Sequence, residues 1–190
     1  MTTRVLALEI TDEKLRDYYV EAVDKHNQEI KNKGSLADSG FDLISPTTIE
    51  TTRSVNRKGF TKLINLKVKA AAYEVTNFNQ SDLELISQDL CRAYDLCVRS
   101  SIWKKRWRLA NNVGIIDSSY RGDLHAAMDY NSEYGKTEGS IDDRLVENER
   151  YWQIVMPDRK PFKVYIVDKL DKTERGEGGL GSTGISGLKK

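Results

Sequence analysis

The chain has 190 residues, 38% hydrophobic and 31% charged, and its 30 Lys+Arg against 29 Asp+Glu leave a net charge of +1. That length suits one domain with its own core, and the near-neutral balance excludes a whole-molecule field drawing it to nucleic acid or an anionic membrane, so any anion site must be local. Cys91, Cys97, His26 and His125 fall at no spacing that makes a zinc site or a disulfide framework, and no apolar run approaches the ~20 residues needed to span a bilayer.

Met1-Thr2-Thr3-Arg4 has no hydrophobic signal region behind it, so the expectation is a soluble, intracellular protein with both cysteines reduced and structural. Arg4 to Ile10 is a short apolar run consistent with a strand. Thr11-Asp12-Glu13 then offers an N-cap and an acidic first turn for a helix over 12–33, with Gly34 as its stop. Leu15, Tyr19, Ala22, His26 and Ile30 share one face of that helix, which is expected to pack on its own domain, with His26 a packed side chain rather than a ligand.

Ile64, Leu66 and Val68 alternate with Asn65, Lys67 and Lys69, the period of a half-buried strand. Ser81-Asp82-Leu83-Glu84 has capping-box form, and Leu83, Ile86 and Leu90 follow at helical spacing, which predicts a short helix over 81–92. Trp103-Lys104-Lys105-Arg106-Trp107-Arg108 interleaves aromatic and basic residues, the chemistry of a single-strand surface. One such cluster in a neutral chain has a small electrostatic footprint, so it is read as interface or phosphate-proximal charge and nucleic acid is not an expected partner. Tyr151 to Met156 and Phe162 to Asp168 read as strands joined through Met156-Pro157-Asp158-Arg159.

Between these lies the run Leu109 to Leu124. Its apolar start gives way to Asp117-Ser118-Ser119-Tyr120-Arg121-Gly122 and then to a second strand-like stretch, which predicts a β-hairpin presenting Asp117 and Tyr120. Taken alone, an Asp in a turn is explained by its backbone hydrogen bond. From Lys172 the composition shifts to a tail crowded with glycine, Gly176, Gly178, Gly179, Gly181, Gly184 and Gly187, expected to be mobile when empty.

Five segments, in order, resemble the motifs of the deoxyuridine triphosphatase (dUTPase) family: Ser39-Gly40-Phe41-Asp42-Leu43, Arg99-Ser100-Ser101, Leu109 to Leu124, Glu149-Arg150-Tyr151-Trp152-Gln153, and Arg175 to Gly184. The third and fifth are the specific ones. The resemblance implies an all-β, distorted jelly-roll barrel with one or two inserted helices, forming a homotrimer with active sites shared between subunits. Residues 1–171 would be the barrel domain, with the 12–33 helix and a 73–95 insertion as additions, and 172–190 a nucleotide-closing tail.

The same resemblance implies hydrolysis of dUTP to dUMP and pyrophosphate by water attacking the α-phosphorus, with Asp117 activating the water. Tyr120 would pack on the deoxyribose and exclude a 2′-hydroxyl, while Asn111 and the backbone at Gly114 would read the uracil edge. Arg99, Ser100, Ser101 and Gln153 would hold the phosphates. Asp42 would orient water on a phosphate-bound Mg²⁺, an ion that keeps several waters and few protein ligands. Arg175, Gly179, Leu180, Ser182 and Thr183 would close over the nucleotide. Leu180 replaces the Phe usual in the family, and Tyr151 and Trp152 replace small or aliphatic residues. Two other readings share the architecture: a regulatory or binding protein acting through the insertions, and a dCTP deaminase, which no residue pattern favours.

Overall fold

The computed structural model describes residues 2–51, 59–76, 78, 90–133 and 143–179. Its strands are β1 (Thr2–Ile10), β2 (Gly40–Ile44), β3 (Gly59–Asn65), β4 (Val68–Thr76), β5 (Cys91–Arg92) and β6 (Tyr94–Val98). They are followed by β7 (Trp107–Leu109), β8 (Gly114–Ile116), β9 (His125–Asn131), β10 (Arg150–Val155) and β11 (Lys163–Val167), while α1 (Arg16–Lys33) lies between β1 and β2. The strands form three sheets ordered β11-β1-β4-β5, β2-β10-β6-β8 and β3-β9-β7. The chain is thus mostly β with one α-helix among the described residues, as expected, but its hydrogen-bonded sheets are separate and do not close into one barrel.

β1 is apolar on consecutive residues because both its faces are covered. Leu6 and Leu8 enter the main core with Phe41, Trp152 and Phe162, while Val5 and Ala7 join Ala71, Tyr73, Val75 and Leu170 in a smaller cluster on the far side. Phe78, Leu90 and Cys91 pack on that second cluster. Those residues cover apolar surface that β1 and β4 would otherwise expose.

Asp12 caps a 3₁₀ turn (Glu13–Leu15) by accepting from the Lys14 amide at 3.1 Å, and Gly34, at φ 57°, ends α1. Leu15 and Tyr19 are buried as the stripe requires, and Val23, outside the stripe, is buried as well. The His26 Nε2 N–H donates to the Phe162 carbonyl at 2.9 Å and its ring sits edge-on to Phe41, so this histidine is a packed side chain whose burial lowers its pKa. One residue on, the Asn27 amide donates to the Val164 carbonyl at 2.7 Å and accepts from the Val164 N–H at 3.0 Å. A side chain thereby occupies backbone groups of the outer strand β11.

Two expected elements change. The strand over 64–68 is the junction of two strands: Ile64, Leu66 and Val68 are buried as the alternation demands, but the Asn65 side chain accepts the Lys67 amide at 2.7 Å and Lys67 turns to φ 59°. That local turn carries the chain from β3 in one sheet to β4 in another. Of the helix expected over 81–92, residues 81–89 lie outside the described residues, and Cys91–Arg92 pair with Tyr73 and Ala72 as strand. Extended pairing wins there because β4 offers an edge.

Candidate functional site

The segment expected to be a hairpin is a pair of turns between sheets. β7 and β9 lie in the third sheet and β8 at the edge of the second, so β8 and β9, which flank Asp117 and Tyr120, do not pair with each other. The apolar residues either side of the turns, Leu109 and Leu124, reach the core between the sheets, and alternation alone does not say which edge each strand meets.

In the first turn Asn112 adopts φ 60° and the Val113 amide donates to the Asn111 carbonyl at 2.6 Å, leaving Asn111 exposed. Gly114 is buried opposite Leu96, where an added Cβ would stand 3.3 Å from the Leu96 Cβ. In the second turn the Tyr120 amide donates to the Asp117 carbonyl at 3.0 Å, which sends the Asp117 side chain outward, 54% exposed. The Tyr120 ring folds over Gly122, where any side chain would collide with its hydroxyl, and that hydroxyl donates to the Asp123 carbonyl at 2.8 Å. Burial raises the Tyr120 pKa, so the phenol stays neutral at ordinary pH.

The described start of the tail, 172–179, lies on these turns of its own chain. The Thr173 hydroxyl donates to the Ser119 carbonyl, the Arg121 amide to the Gly176 carbonyl at 2.9 Å, and Lys69 pairs with Glu177 at 2.5 Å. The Arg175 guanidinium pairs with the Asp117 carboxylate and stands 5.8 Å from the centroid of the Tyr120 ring. Lys69, Tyr120, Gly122, Asp123, Glu177 and Gly179 border a cavity of about 320 Å³. Asp117, Tyr120, Arg175 and Gly179 are therefore together, while Leu180, Ser182 and Thr183 lie outside the described residues.

A second group forms on the β2-β10-β6 side. Asp42 on β2 stands opposite Gln153 on β10, and Gln153 stands opposite Cys97 on β6. Asp42 Oδ1 pairs with Arg99 Nε at 2.9 Å and Oδ2 with Arg150 Nη1 at 3.0 Å, and the Gln153 amide donates to the Val98 carbonyl at 3.2 Å. Burial pushes the Asp42 carboxyl above its ordinary value, and the two guanidiniums pull it back only in part. Ser100 and Ser101 open the 3₁₀ turn Ser100–Lys104 just past Arg99, both exposed. Arg99, Ser101, Lys104, Lys105 and Arg150 border a cavity of about 410 Å³ with Glu149 on its rim, a basic recess suited to an anion.

The two groups stand far apart in one chain. Asp42 and Asp117 are separated by three strand spacings across the sheet β2-β10-β6-β8, roughly 14 Å, and by about four residues of strand rise, roughly 13 Å. That places the two carboxylates on the order of 20 Å from each other, and Ser100, beyond the far end of β6, is farther still.

Among the described residues no group of three or more His, Cys, Asp or Glu is arranged to hold a metal. The basic aromatic run is mostly architecture: Trp107 is fully buried with Nε1 donating to the Asp143 carbonyl at 2.6 Å, Arg106 pairs with Asp143, and Arg108 binds three carbonyls. Trp103, 65% exposed, and Lys104 stay on the surface. Tyr151 and Trp152 are core side chains, Trp152 Nε1 lying 3.3 Å from Met128 Sδ and the Tyr151 hydroxyl accepting from the Val146 amide at 3.0 Å. Sequence reasoning passed over Arg150, Arg121 and Asp171, although the first two sit inside motif segments it had marked.

No family model and no curated protein matches the chain. Among solved structures it is similar to a point variant of the dUTPase of Staphylococcus bacteriophage 80alpha with dUpNHpp, at 19% identity over 80% of this chain and 90% of that one, TM-score 0.43. It is also similar to a point variant of the dUTPase from phage phi11 of S. aureus, whose description names a structural Mg(II) ion, at 16% identity over 89% and 98%, TM-score 0.47. No helix among the described residues is long and apolar enough to cross a membrane.

Proposed function

We propose that the chain is a dUTP diphosphatase, converting dUTP and water to dUMP and pyrophosphate at sites completed between copies of the chain in a homotrimer. The observation that carries this reading is the meeting of Asp117, Tyr120 and Arg175, picked out from two separate sequence runs and brought onto one surface by the fold. An exposed carboxylate beside an aromatic face and a guanidinium is what a nucleotide's water, sugar and phosphates each need.

Asp117 takes a proton from water as its oxygen bonds to the α-phosphorus, and the bond from that phosphorus to the bridging oxygen breaks, releasing pyrophosphate with the electron pair. Tyr120 fills the space a 2′-hydroxyl would need, and Asn111 with the backbone at Gly114 reads the base. Arg175, which pairs with Asp117, also offers its guanidinium to the triphosphate. Gly179, Leu180, Ser182 and Thr183 then close behind it.

Arg99, Ser100, Ser101 and Gln153 hold the phosphate chain. Their distance of roughly 20 Å from Asp117 within one chain supports a site to which a second copy supplies them. Exposed Val113, Ile115 and Leu63 are apolar surface that such an assembly would cover. The donor set suits a Mg²⁺ carried by the phosphates: one carboxylate, Asp42, with both oxygens engaged by arginine, can take a metal-bound water but not cage an ion. Bound there, Mg²⁺ would offset charge building on the leaving group.

The test is pyrophosphate release from dUTP, dCTP, dTTP and UTP with Mg²⁺. Preference for dUTP by more than about tenfold, or 1.4 kcal/mol, is expected, and a smaller preference rejects the pocket as drawn.

A further inference from the structure

Arg121 is 5% exposed and uses every N–H of its guanidinium. Nε donates to Asp171 Oδ1 at 2.9 Å, Nη1 to the Ser118 and Tyr120 carbonyls at 2.8 and 2.9 Å, and Nη2 to Asp171 Oδ2 at 3.4 Å and Cys91 Sγ at 3.2 Å. Asp171 is held from its other side by the Tyr73 hydroxyl at 2.8 Å. The Ser119 carbonyl between those two is taken by Thr173, and the Arg121 amide by the Gly176 carbonyl. Each carbonyl of the turn from Asp117 to Tyr120 is thus occupied, by Arg121, by the root of the tail, or by the turn itself.

We infer that Arg121, anchored by Asp171, is the positioning residue of this turn, fixing the angle at which Asp117 and Tyr120 are presented and joining the root of the tail to them as one unit. The inference rests on Asp117 as the water-activating group. A planar fork is required, because a single ammonium cannot reach two turn carbonyls, a carboxylate and a thiol at once. Without it the Ser118 and Tyr120 carbonyls lose their donor, the turn is left with its Tyr120 to Asp117 backbone bond and its two bonds to the root of the tail, and it can swing; displacement by about 1 Å at a reacting group lowers rates by about a hundredfold.

The experiment compares the unaltered chain with Arg121→Lys and Asp171→Asn, measuring dUTP turnover with Mg²⁺ and amide exchange at Tyr120 and Arg121. Both variants should lose about tenfold or more in kcat with KM held within about twofold, and both amides should exchange about tenfold faster while those of β1 and β4 keep their protection. A kcat within about twofold of the unaltered chain, or unchanged exchange at the two amides, overturns the inference. If Arg121→Lys does not fold, Asp171→Asn, which keeps the shape of the side chain, carries both measurements. An unaltered chain that hydrolyses no dUTP removes the reading of Asp117 instead, and the positioning role then stands or falls on the exchange of the two amides.

Discussion

Arg175 and Asp117, 58 residues apart in the chain, form an ion pair on the surface of the second turn. Asp117 is more than half exposed there, so the pair is worth at most about 1 kcal/mol to folding. Asp117→Asn should therefore leave the melting temperature nearly unchanged while lowering dUTP turnover by roughly 10² to 10⁴. Binding of a non-hydrolysable dUTP analogue, followed by titration calorimetry, should change only a few-fold. Turnover that survives the substitution would remove Asp117 from its role.

Removing residues 172–190 should abolish turnover and also lower stability. The tail's start supplies hydrogen bonds to Ser119 and Arg121, each worth about 0.5–1.5 kcal/mol, and a solvent-exposed pairing to Lys69 that adds little. A fall in melting temperature of several degrees is expected by calorimetry. A truncated chain that melts like the full one would show that these contacts add nothing to the turn.

Asn27→Ala should destabilise the chain by about 2 kcal/mol, because it strips partners from both the N–H and the C=O of Val164 without touching the proposed site. Urea denaturation measures the loss. Catalysis in the folded variant should match the unaltered chain.

Burial holds His26 below its ordinary value of 6.5, so below that pH the unfolded chain binds more protons than the folded one. The stability due to the neutral ring is fully present above about pH 6.5 and is lost as pH falls through that value toward the folded one. Glu29, Asp38 and Asp42 face the ring and oppose the shift without reversing it. His26→Gln should flatten the difference in urea stability between about pH 7.5 and 5.5; an identical difference in both chains would assign the pH dependence to other groups.

Local signals were legible at the start of the chain. The apolar run Arg4 to Ile10 is the interior of β1, and the cap at Asp12 and stop at Gly34 bound the helical segment, because capping and period act over a few residues. The hairpin expectation failed at Asp117 for the opposite reason. β8 and β9 have the composition of paired strands, and only Leu96 with Gly114 and Ala126 with Ile64, residues distant in sequence, decide which edge each one meets.

By itself the sequence marked the residues of the proposed site, Asp42, Arg99, Ser100, Asn111, Asp117, Tyr120, Gln153 and Arg175, through the resemblance of five segments to family motifs. Tertiary structure alone decided how they divide. It set Arg175 of the tail against the turn that carries Asp117 and Tyr120, with Arg121 and Asp171 beneath it, and gathered Asp42, Arg99, Arg150 and Gln153 elsewhere on the sheet β2-β10-β6-β8. Residue identity is a local property of the chain, whereas distance across a sheet is set by pairings between segments far apart in sequence, as where Val5 of β1 stands opposite Lys163 of β11.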